Sequence, residues 1–357
     1  MKRVKVKLGS KSYNIHIGSG MLSQAGHWLR ELGFAGKLVV ITNPIVESLY
    51  GETLQQGLTQ DGFTVAALQV PDGEEQKSLE TAGNLYLELS SCFTERTTPI
   101  LALGGGVIGD LAGFVAATYK RGVPLVQMPT TLLAQVDSSI GGKVAVDHGQ
   151  LKNEIGAFYQ PRLVISDIDT LRTLDPQAIS NGLAEIIKYG VIRDKGLFYY
   201  LEDNMDKIRA LDEMVLEEII FRSAKIKAEV VAEDEKDLGL RAILNYGHTV
   251  GHAVESASNF KIDHGEAVAI GMVAEAKISK EMGILDGSEL SQLESLIKKA
   301  GLPVKVPNLK VEKLIAAMQH DKKVRGGRIR FVLPKALGKI LITDEVNLSL
   351  VEQVLAD

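Results

Sequence analysis

Short apolar runs alternate with segments of helical length along the first half of the chain. Runs of aliphatic and β-branched residues predict strands at 37–42, 63–70, 99–103, 123–128 and 163–166. Asn43-Pro44 follows the first of these runs, and proline suits the first turn of a helix. Strands separated by helices indicate βαβ units, so we expect an α/β N-terminal domain with a Rossmann-like, mostly parallel sheet.

The hydrophobic pattern changes near residue 175. Residues 176–300 predict helix almost throughout, with breaks at Gly190, Gly239 and Gly283, and 211–231 predicts one long amphipathic helix. A short strand-like run at 328–333 and a final helix follow. We therefore expect two domains, an α/β domain at 1–175 and an all-α or mainly helical domain at 176–357.

Composition narrows the class of protein. A chain of 357 residues, 45% hydrophobic and 24% charged, is expected to be globular with more than one core. The net charge of -5 argues against nucleic acid or an anionic membrane as partner. Val4 and Val6 alternate with lysines, which predicts a strand and not a signal peptide. The single cysteine, Cys92, allows no intrachain disulfide, and we expect a cytoplasmic protein.

A glycine-rich segment follows the predicted strand 99–103. Residues 104–109 satisfy G-x-G-x-x-G, a pattern in which glycines let the backbone approach a pyrophosphate at a helix N-terminus. Such turns can also serve only to form a tight corner. The usual acidic residue about 20 positions on is missing, since the next acid after Asp110 is Asp137, so Asp110 becomes a candidate for the nicotinamide half. Thr130 and Thr131 end the next strand at the same predicted sheet edge.

Three histidines cluster within the predicted helical half: His248, His252 and His264. His248 and His252 are four residues apart and share a helix face, so spacing alone favours them as a metal-binding pair. Glu185 lies on a predicted helix with Lys188 three positions on. Two histidines and a carboxylate are typical of a catalytic zinc-type site, although an isolated helical histidine is more often structural. We interpret His16, His27, His148 and His320 as structural.

Several cations lie close to these motifs in the sequence: Arg121, Lys143, Lys152, Lys188, Lys227 and Arg241. Most lysines are solvated at the surface. Lys227, however, shares a helical register with Ile220, Ala224 and Val231, and a lysine on a buried face needs an anionic partner. Lys143 and Lys152 lie in segments punctuated by glycine, which predict functional loops. A substrate with two anionic groups would use such a set.

Together the motifs resemble the 3-dehydroquinate synthase family of sugar-phosphate cyclases. The matching segments occur in the family's order, at 104–110, 138–143, 153–158, 245–253 and 264–272. Tyr246 stands where phenylalanine is common and Thr249 where serine is frequent, and both changes are conservative. The resemblance implies a shikimate-pathway enzyme of aromatic amino acid biosynthesis that uses NAD and zinc or cobalt. It also implies a homodimer acting on a small phosphorylated sugar acid.

The resemblance further implies a role for individual residues. The metal ligands become Glu185, His248 and His264, which moves His252 to the phosphate side of the substrate. The implied cofactor contacts are Asp72, Gly73, Glu74, Lys77, Gly105, Gly106, Val107, Gly109, Asp110, Thr130, Thr131, Asp137, Lys143, Lys152, Thr170, Leu171 and Thr173. The implied catalytic and substrate contacts are Arg121, Lys143, Lys152, Asn153, Lys188, Lys227, Arg241, Asn245 and His252, with either Lys322 or Lys323 reaching phosphate.

Three alternatives remain at this point. An iron-type alcohol or glycerol dehydrogenase would share the fold and the glycine loop but release NADH. A related cyclase would act on another sugar phosphate, such as glucose 6-phosphate. A degenerate NAD-binding regulator would have no catalytic activity. The presence of all the implied metal-binding and charged residues argues against it, namely Glu185, His248, His264, Lys152 and Arg241.

Overall fold

The computed structural model describes residues 1–149, 151–306, 309–320, 324–325 and 328–356. Contacts divide the chain into two compact units. The first unit comprises Met1–Leu174 and Glu213–Lys236, and the second comprises Asp175–Asp212 and Asp237–Asp357. The division expected at residue 175 assigns residues 213–236 to the second domain, whereas they pack in the first unit.

The first unit is built on a mainly parallel sheet. Its strands are β1 (Lys2–Val6), β2 (Tyr13–Gly18), β3 (Lys37–Thr42), β4 (Thr64–Gln69), β5 (Ile100–Gly104), β6 (Leu125–Pro129), β7 (Lys143–His148), β8 (Leu151–Phe158) and β9 (Leu163–Asp167). The sheet order is β1-β2-β9-β6-β5-β3-β4, with β1 antiparallel to β2 and the other neighbours parallel. All five predicted strands are present, which confirms the α/β class, and β7 and β8 form a separate hairpin that the sequence pattern did not predict.

Helices cover both faces of this sheet because its strands are apolar on both sides. The helices are α1 (Ala25–Glu31), α2 (Pro44–Val46), α3 (Glu52–Gln60), α4 (Leu79–Ser91) and α5 (Gly106–Thr118). Val39 and Ile41 of β3 lie in one buried cluster with residues of α4 and α5. Leu38 and Val40 lie in another with residues of α1 and α3.

The second unit is mainly helical. Its helices are α6 (Pro176–Ile192), α7 (Lys195–Arg209), α9 (His248–Ala257), α10 (His264–Glu281), α11 (Gly287–Lys299), α12 (Val311–His320) and α13 (Leu348–Ala356). It also contains the antiparallel pairs β10 (Val324–Arg325) with β11 (Arg328–Ile329), and β12 (Phe331–Ala336) with β13 (Lys339–Thr343). The helical character is confirmed, but the term all-α is too strict, because the strand-like run at 328–333 does form strands.

The long helix expected after residue 211 is present, whereas the helix break expected at Gly190 is not. The long helix expected at 211–231 is α8 (Glu213–Glu233), and it packs against β1 and β2 of the first unit. The break expected at Gly190 is wrong, because α6 runs through this residue to Ile192. A Cβ atom at Gly190 would lie 3.1 Å from the Phe198 backbone, so this glycine permits close packing of α7.

In the described part of the chain, no helix has the length and apolar character needed to cross a membrane.

Candidate functional site

Three side chains of the second unit converge as a metal-binding arrangement. Glu185 lies on α6, while His248 and His264 are the first residues of α9 and α10. One potential ligand atom from each residue lies within 4.8 Å of the other two. The Nε2 atoms of His248 and His264 are 3.3 Å and 3.5 Å from the same oxygen, Oε1 of Glu185. A histidine–histidine–carboxylate set of this kind fits a divalent metal such as zinc.

The opposite nitrogen of each histidine ring has its own partner. Nδ1 of His248 lies 3.1 Å from the carbonyl oxygen of Tyr246. Nδ1 of His264 lies 3.1 Å from Oε1 of Glu255. With a metal bound, donation from Nδ1–H to these acceptors would leave the lone pair of each Nε2 for the metal. Metal-binding histidines in proteins are oriented by such outer partners.

The charges around the cluster keep its carboxylates ionised. Burial raises the pKa of Glu185, but the charge of Lys188 and the contacts with His248 and His264 together outweigh it and hold that pKa well below its usual range. Lys188 and Glu185 form an ion pair and are both almost wholly buried. Burial lowers the pKa of His248 to about 4. Burial also disfavours the cation of His264, but Glu185 and Glu255 outweigh it and raise its pKa to about 10. Carboxylates that attract a proton to this site would likewise attract a metal cation.

His252 lies beside the cluster without belonging to it. Its ring centroid is 5.3 Å from that of His248 and 6.5 Å from that of His264. The pair favoured by spacing, His248 with His252, does share one face of α9. The donor atoms that meet at Glu185, however, come from His248 and His264.

Small residues allow the two histidine helices to approach closely. A Cβ atom at Gly247 would lie 2.6 Å from Cγ of Met272. One at Gly251 would lie 3.0 Å from the carbonyl oxygen of Ala267, and one at Gly271 only 1.9 Å from that of Gly247. Larger residues would therefore push α9 and α10 apart and displace His248.

The glycine-rich segment of the first unit forms the expected strand–turn–helix. β5 ends at Gly104, and α5 begins at Gly106 with Gly105 as its N-cap residue. A Cβ atom at Gly104 would lie 2.7 Å from Cβ of Ile108, and one at Gly109 2.9 Å from Oε1 of Gln127, so packing explains these two glycines. Gly105 and Gly106 are under less steric pressure, with nearest contacts of 3.2 Å and 3.4 Å. They leave the N-terminal N–H groups of α5 open to an anionic ligand.

Charged candidates surround this turn within the same unit. Nζ of Lys77, which is buried, lies 2.6 Å from Oδ2 of Asp110 and 2.5 Å from Oδ1 of Asn153. Burial lowers the pKa of Lys77, but Asp110, together with Glu74 and Asp147, outweighs it and the pKa is raised, so Lys77 remains a cation. Lys152 lies 3.5 Å from Glu74. The structure thus brings together four of the predicted cofactor residues with Asn153.

Lys227 has the anionic partner that its position on a buried helix face requires. It is 5% exposed, and its Nζ lies 2.8 Å from Oδ1 of Asp137 and 2.6 Å from the carbonyl oxygen of the same residue. The expectation that Lys227 has an anionic partner is confirmed, and the partner is the carboxylate of Asp137. A cofactor contact by Asp137 and a substrate contact by Lys227 would both occur at this ion pair.

Lys143 and Lys152 do not lie in loops as expected. They belong to the hairpin β7–β8, where Lys143 is exposed and Asn153 has the positive φ of 56°. The exposed Arg121 also has a positive φ, 64°. Positive φ values are uncommon for residues other than glycine and occur often at binding sites.

The remaining predicted contacts differ in accessibility. Thr170 and Leu171 lie in the 3-10 helix Ile168–Thr173 and are buried, whereas Thr173 is exposed. The Thr170 hydroxyl donates to the carbonyl oxygen of Asp167, so cofactor contact there would involve the main chain. Thr130 is buried, Thr131 caps a turn at Ala134, and Asp72 accepts from Asn43.

Predicted substrate contacts also occur in the second unit. Arg241 and Asn245 lie in the 3-10 helix Leu240–Asn245, and Arg241 is 2% exposed. Lys322 and Lys323 lie outside the described residues.

Sequence inspection missed two carboxylates that act behind the histidines. Glu255 lies on α9 and contacts His264, and Glu275 lies on α10 and accepts hydrogen bonds at the start of α9. Glu275 could have been noticed in the sequence, because it is an acidic residue within an otherwise apolar run of α10. This pattern predicts that the acid is buried. It does not predict which groups the acid contacts, because tertiary packing determines them.

Comparison with known proteins covers nearly the whole chain. Residues 67–181 match the family model for the 3-dehydroquinate synthase N-terminal region, and residues 182–324 match that for the C-terminal region. A 3-dehydroquinate synthase of Dehalococcoides mccartyi is 50% identical over 346 residues, which is 97% of this chain and 96% of that protein.

Two solved structures of sugar-phosphate cyclases are similar in fold. The 2-epi-5-epi-valiolone synthase of Streptomyces hygroscopicus subsp. jinggangensis, with NAD+ and Zn2+ bound, is 27% identical with a TM-score of 0.90, covering 98% of this chain and 97% of that one. A 2-deoxy-scyllo-inosose synthase complexed with carbaglucose-6-phosphate, NAD+ and Co2+ is 27% identical with a TM-score of 0.89, covering 99% of both chains.

Proposed function

The chain belongs to the 3-dehydroquinate synthase family, and we propose that it converts 3-deoxy-arabino-heptulosonate 7-phosphate into 3-dehydroquinate and phosphate. In this reaction a ring hydroxyl is transiently oxidised to a ketone, which makes the neighbouring C–H acidic. Bound NAD would accept the hydride of this oxidation and return it in the later reduction, so that it would be recycled. Phosphate is then eliminated, the ketone is reduced again, and the opened ring closes by an intramolecular aldol addition. The expected enzyme class, NAD and a divalent metal are confirmed by the family and by its structural neighbours.

One observation carries the assignment of the metal site. His248 and His264 present Nε2 to the same oxygen of the buried Glu185, and their Nδ1 atoms are held by Tyr246 and Glu255. Glu185, His248 and His264 would hold the metal. When bound there, a divalent metal polarises a substrate oxygen and eases loss of its proton. The resemblance assigns His252 to the substrate phosphate, and its position beside the triad and outside it is compatible with that role.

The cofactor is assigned to the first unit. N–H groups at the start of α5, beyond Gly105, offer hydrogen bonds and the positive end of the helix dipole to a pyrophosphate. Lys77 fixes the Asp110 carboxylate and the Asn153 side chain through contacts of 2.6 Å and 2.5 Å. These contacts set the direction of two polar groups that are proposed to bind cofactor and substrate.

Four variants test the ligand assignment. Glu185→Gln, His248→Ala and His264→Ala are each expected to lose most bound divalent metal, because removing one ligand opens a three-ligand site. His252→Ala is the matched control, since it alters a neighbouring histidine on the same helix and is expected to retain metal while losing turnover. Metal analysis of the purified proteins, with circular dichroism to verify folding, gives the result. A metal-free His252→Ala beside a metal-loaded His264→Ala would overturn the assignment.

The homodimer and the cytoplasmic location are also proposed. The single cysteine, Cys92, suits a reducing compartment, and the homodimer follows from the resemblance to the family. Sedimentation equilibrium of the purified chain and fractionation of its native cell measure the two properties directly.

A further inference from the structure

Glu275 is a fully buried carboxylate that the proposed reaction does not use. It lies on α10, about three turns after His264, and its relative exposure is 0%. A buried carboxylate is costly unless hydrogen-bond donors surround it. Its position therefore requires an explanation in terms of the groups that it contacts.

The carboxylate accepts hydrogen bonds from the backbone at the start of α9. Oε2 accepts from the N–H of Gly247 at 2.8 Å, and Oε1 accepts from those of Thr249 at 3.1 Å and Val250 at 3.3 Å. The first N–H groups of a helix have no partner within the helix. Glu275 thus caps α9 from a neighbouring helix, and its negative charge lies at the positive end of the α9 dipole.

His248 lies between the backbone groups that Glu275 holds. Gly247, immediately before it, has the left-handed φ of 79°. The carbonyl oxygen of Tyr246 orients Nδ1 of His248, and the Tyr246 hydroxyl donates to the carbonyl oxygen of Met272 on α10 at 2.8 Å. The direction in which the His248 side chain leaves the backbone is therefore fixed by α10.

We propose that Glu275 is a positioning residue, which holds the turn 247–250 so that Nε2 of His248 faces Glu185. The inference rests on the proposed metal-binding role of Glu185, His248 and His264. A carboxylate is required because both of its oxygens accept. An amide at this position would offer a single acceptor oxygen and would turn its NH2 group toward an N–H of the same turn.

Cobalt binding by the metal-free protein tests the proposal. Glu275→Gln is expected to weaken Co2+ affinity by about 10–100-fold, the usual effect of losing a partner behind a metal ligand. It should also alter the visible absorption of the bound Co2+, because the His248 ring is reoriented. Titration with Co2+ alone measures both quantities, and thermal unfolding without metal measures the general loss of stability.

Ser279→Ala is the matched control. Ser279 is buried one turn further along α10, and its hydroxyl donates to the carbonyl oxygen of Pro334 at 2.5 Å. Its replacement removes a buried hydrogen bond from the same helix but leaves the turn 247–250 intact. It is expected to lower the unfolding temperature and to leave the Co2+ affinity and spectrum unchanged.

The outcomes separate this proposal from the one on which it rests. Wild-type Co2+ affinity and spectrum in Glu275→Gln would overturn the role of Glu275, as would an equal loss of affinity in Ser279→Ala. Unchanged Co2+ affinity in His248→Ala would instead overturn the metal site itself. If Glu275→Gln does not fold, Glu275→Asp keeps the charge but cannot reach all three donors. This variant is then expected to show the spectral change, and a wild-type spectrum would contradict the proposal.

Discussion

Arg241 is 2% exposed and lies on the 3-10 helix Leu240–Asn245 of the second unit, so its charge is held away from bulk water. The heptulosonate phosphate carries a carboxylate that glucose 6-phosphate lacks. A guanidinium binds a carboxylate through two parallel charge-assisted hydrogen bonds. Lys227, another buried cation among the implied substrate contacts, contacts Asp137. We propose that the buried Arg241 contributes to discrimination between the two substrates.

Replacing Arg241 should impair use of the carboxylate-bearing substrate. The wild-type protein is expected to convert the heptulosonate phosphate and not glucose 6-phosphate. Arg241→Ala should lose about 2–5 kcal/mol of transition-state stabilisation, the usual cost of removing one partner of a buried charge pair. Values of kcat/KM on both sugars measure the effect, and Arg193→Ala, at an exposed residue after α6, is the control. Similar rates on both sugars would contradict the carboxylate assignment.

Helix α8 shows how a charged residue can be part of a packed element. Its buried side includes Ile220, Ala224 and Val231, and Lys227 lies among them with its ammonium group on Asp137. The apolar residues pack the helix against β1 and β2, and the ion pair with Asp137 satisfies the buried charge of Lys227.

Removing that charge should destabilise the first unit. Lys227→Met keeps the apolar stem but removes the ammonium group that Asp137 contacts, which is expected to cost about 1.5–3 kcal/mol of unfolding free energy. Urea denaturation measures the change. Lys225→Met, at an exposed position of the same helix, is expected to have little effect. Equal stability of the two variants would show that the ion pair does not stabilise the fold.

Strands that form a continuous apolar run were predictable from the sequence, whereas elements that depend on distant partners were not. β3, β5 and β9 are apolar on both faces, so their runs are unambiguous. The hairpin β7–β8 was missed because its glycines and lysines indicate a loop locally, although cross-strand pairing makes it a strand pair. Likewise, spacing gives His248 and His252 one helix face, but only the packing of α6, α9 and α10 selects His264 as the second nitrogen donor.

At the scale of the whole molecule, each unit contributes a different part of the proposed chemistry. The first unit supplies the glycine turn at Gly105 and the Lys77–Asp110 pair, and the second supplies the Glu185 cluster. Identity of 50% over 97% of the chain with a 3-dehydroquinate synthase exceeds the 27% identity with either cyclase structure. This difference favours the heptulosonate phosphate over the substrates of those relatives.

We expect NAD to be recycled within each turnover, and a single assay tests this. The protein is incubated with divalent metal, an excess of 3-deoxy-arabino-heptulosonate 7-phosphate and a small fraction of that amount of NAD. Phosphate release, absorbance of reduced nicotinamide and product mass are followed together. We predict that phosphate released exceeds the NAD added many times over, that the nicotinamide absorbance stays flat, and that the product has the mass of 3-dehydroquinate. A rise in NADH that matches the product, or no release of phosphate, would contradict NAD recycling and the proposed reaction.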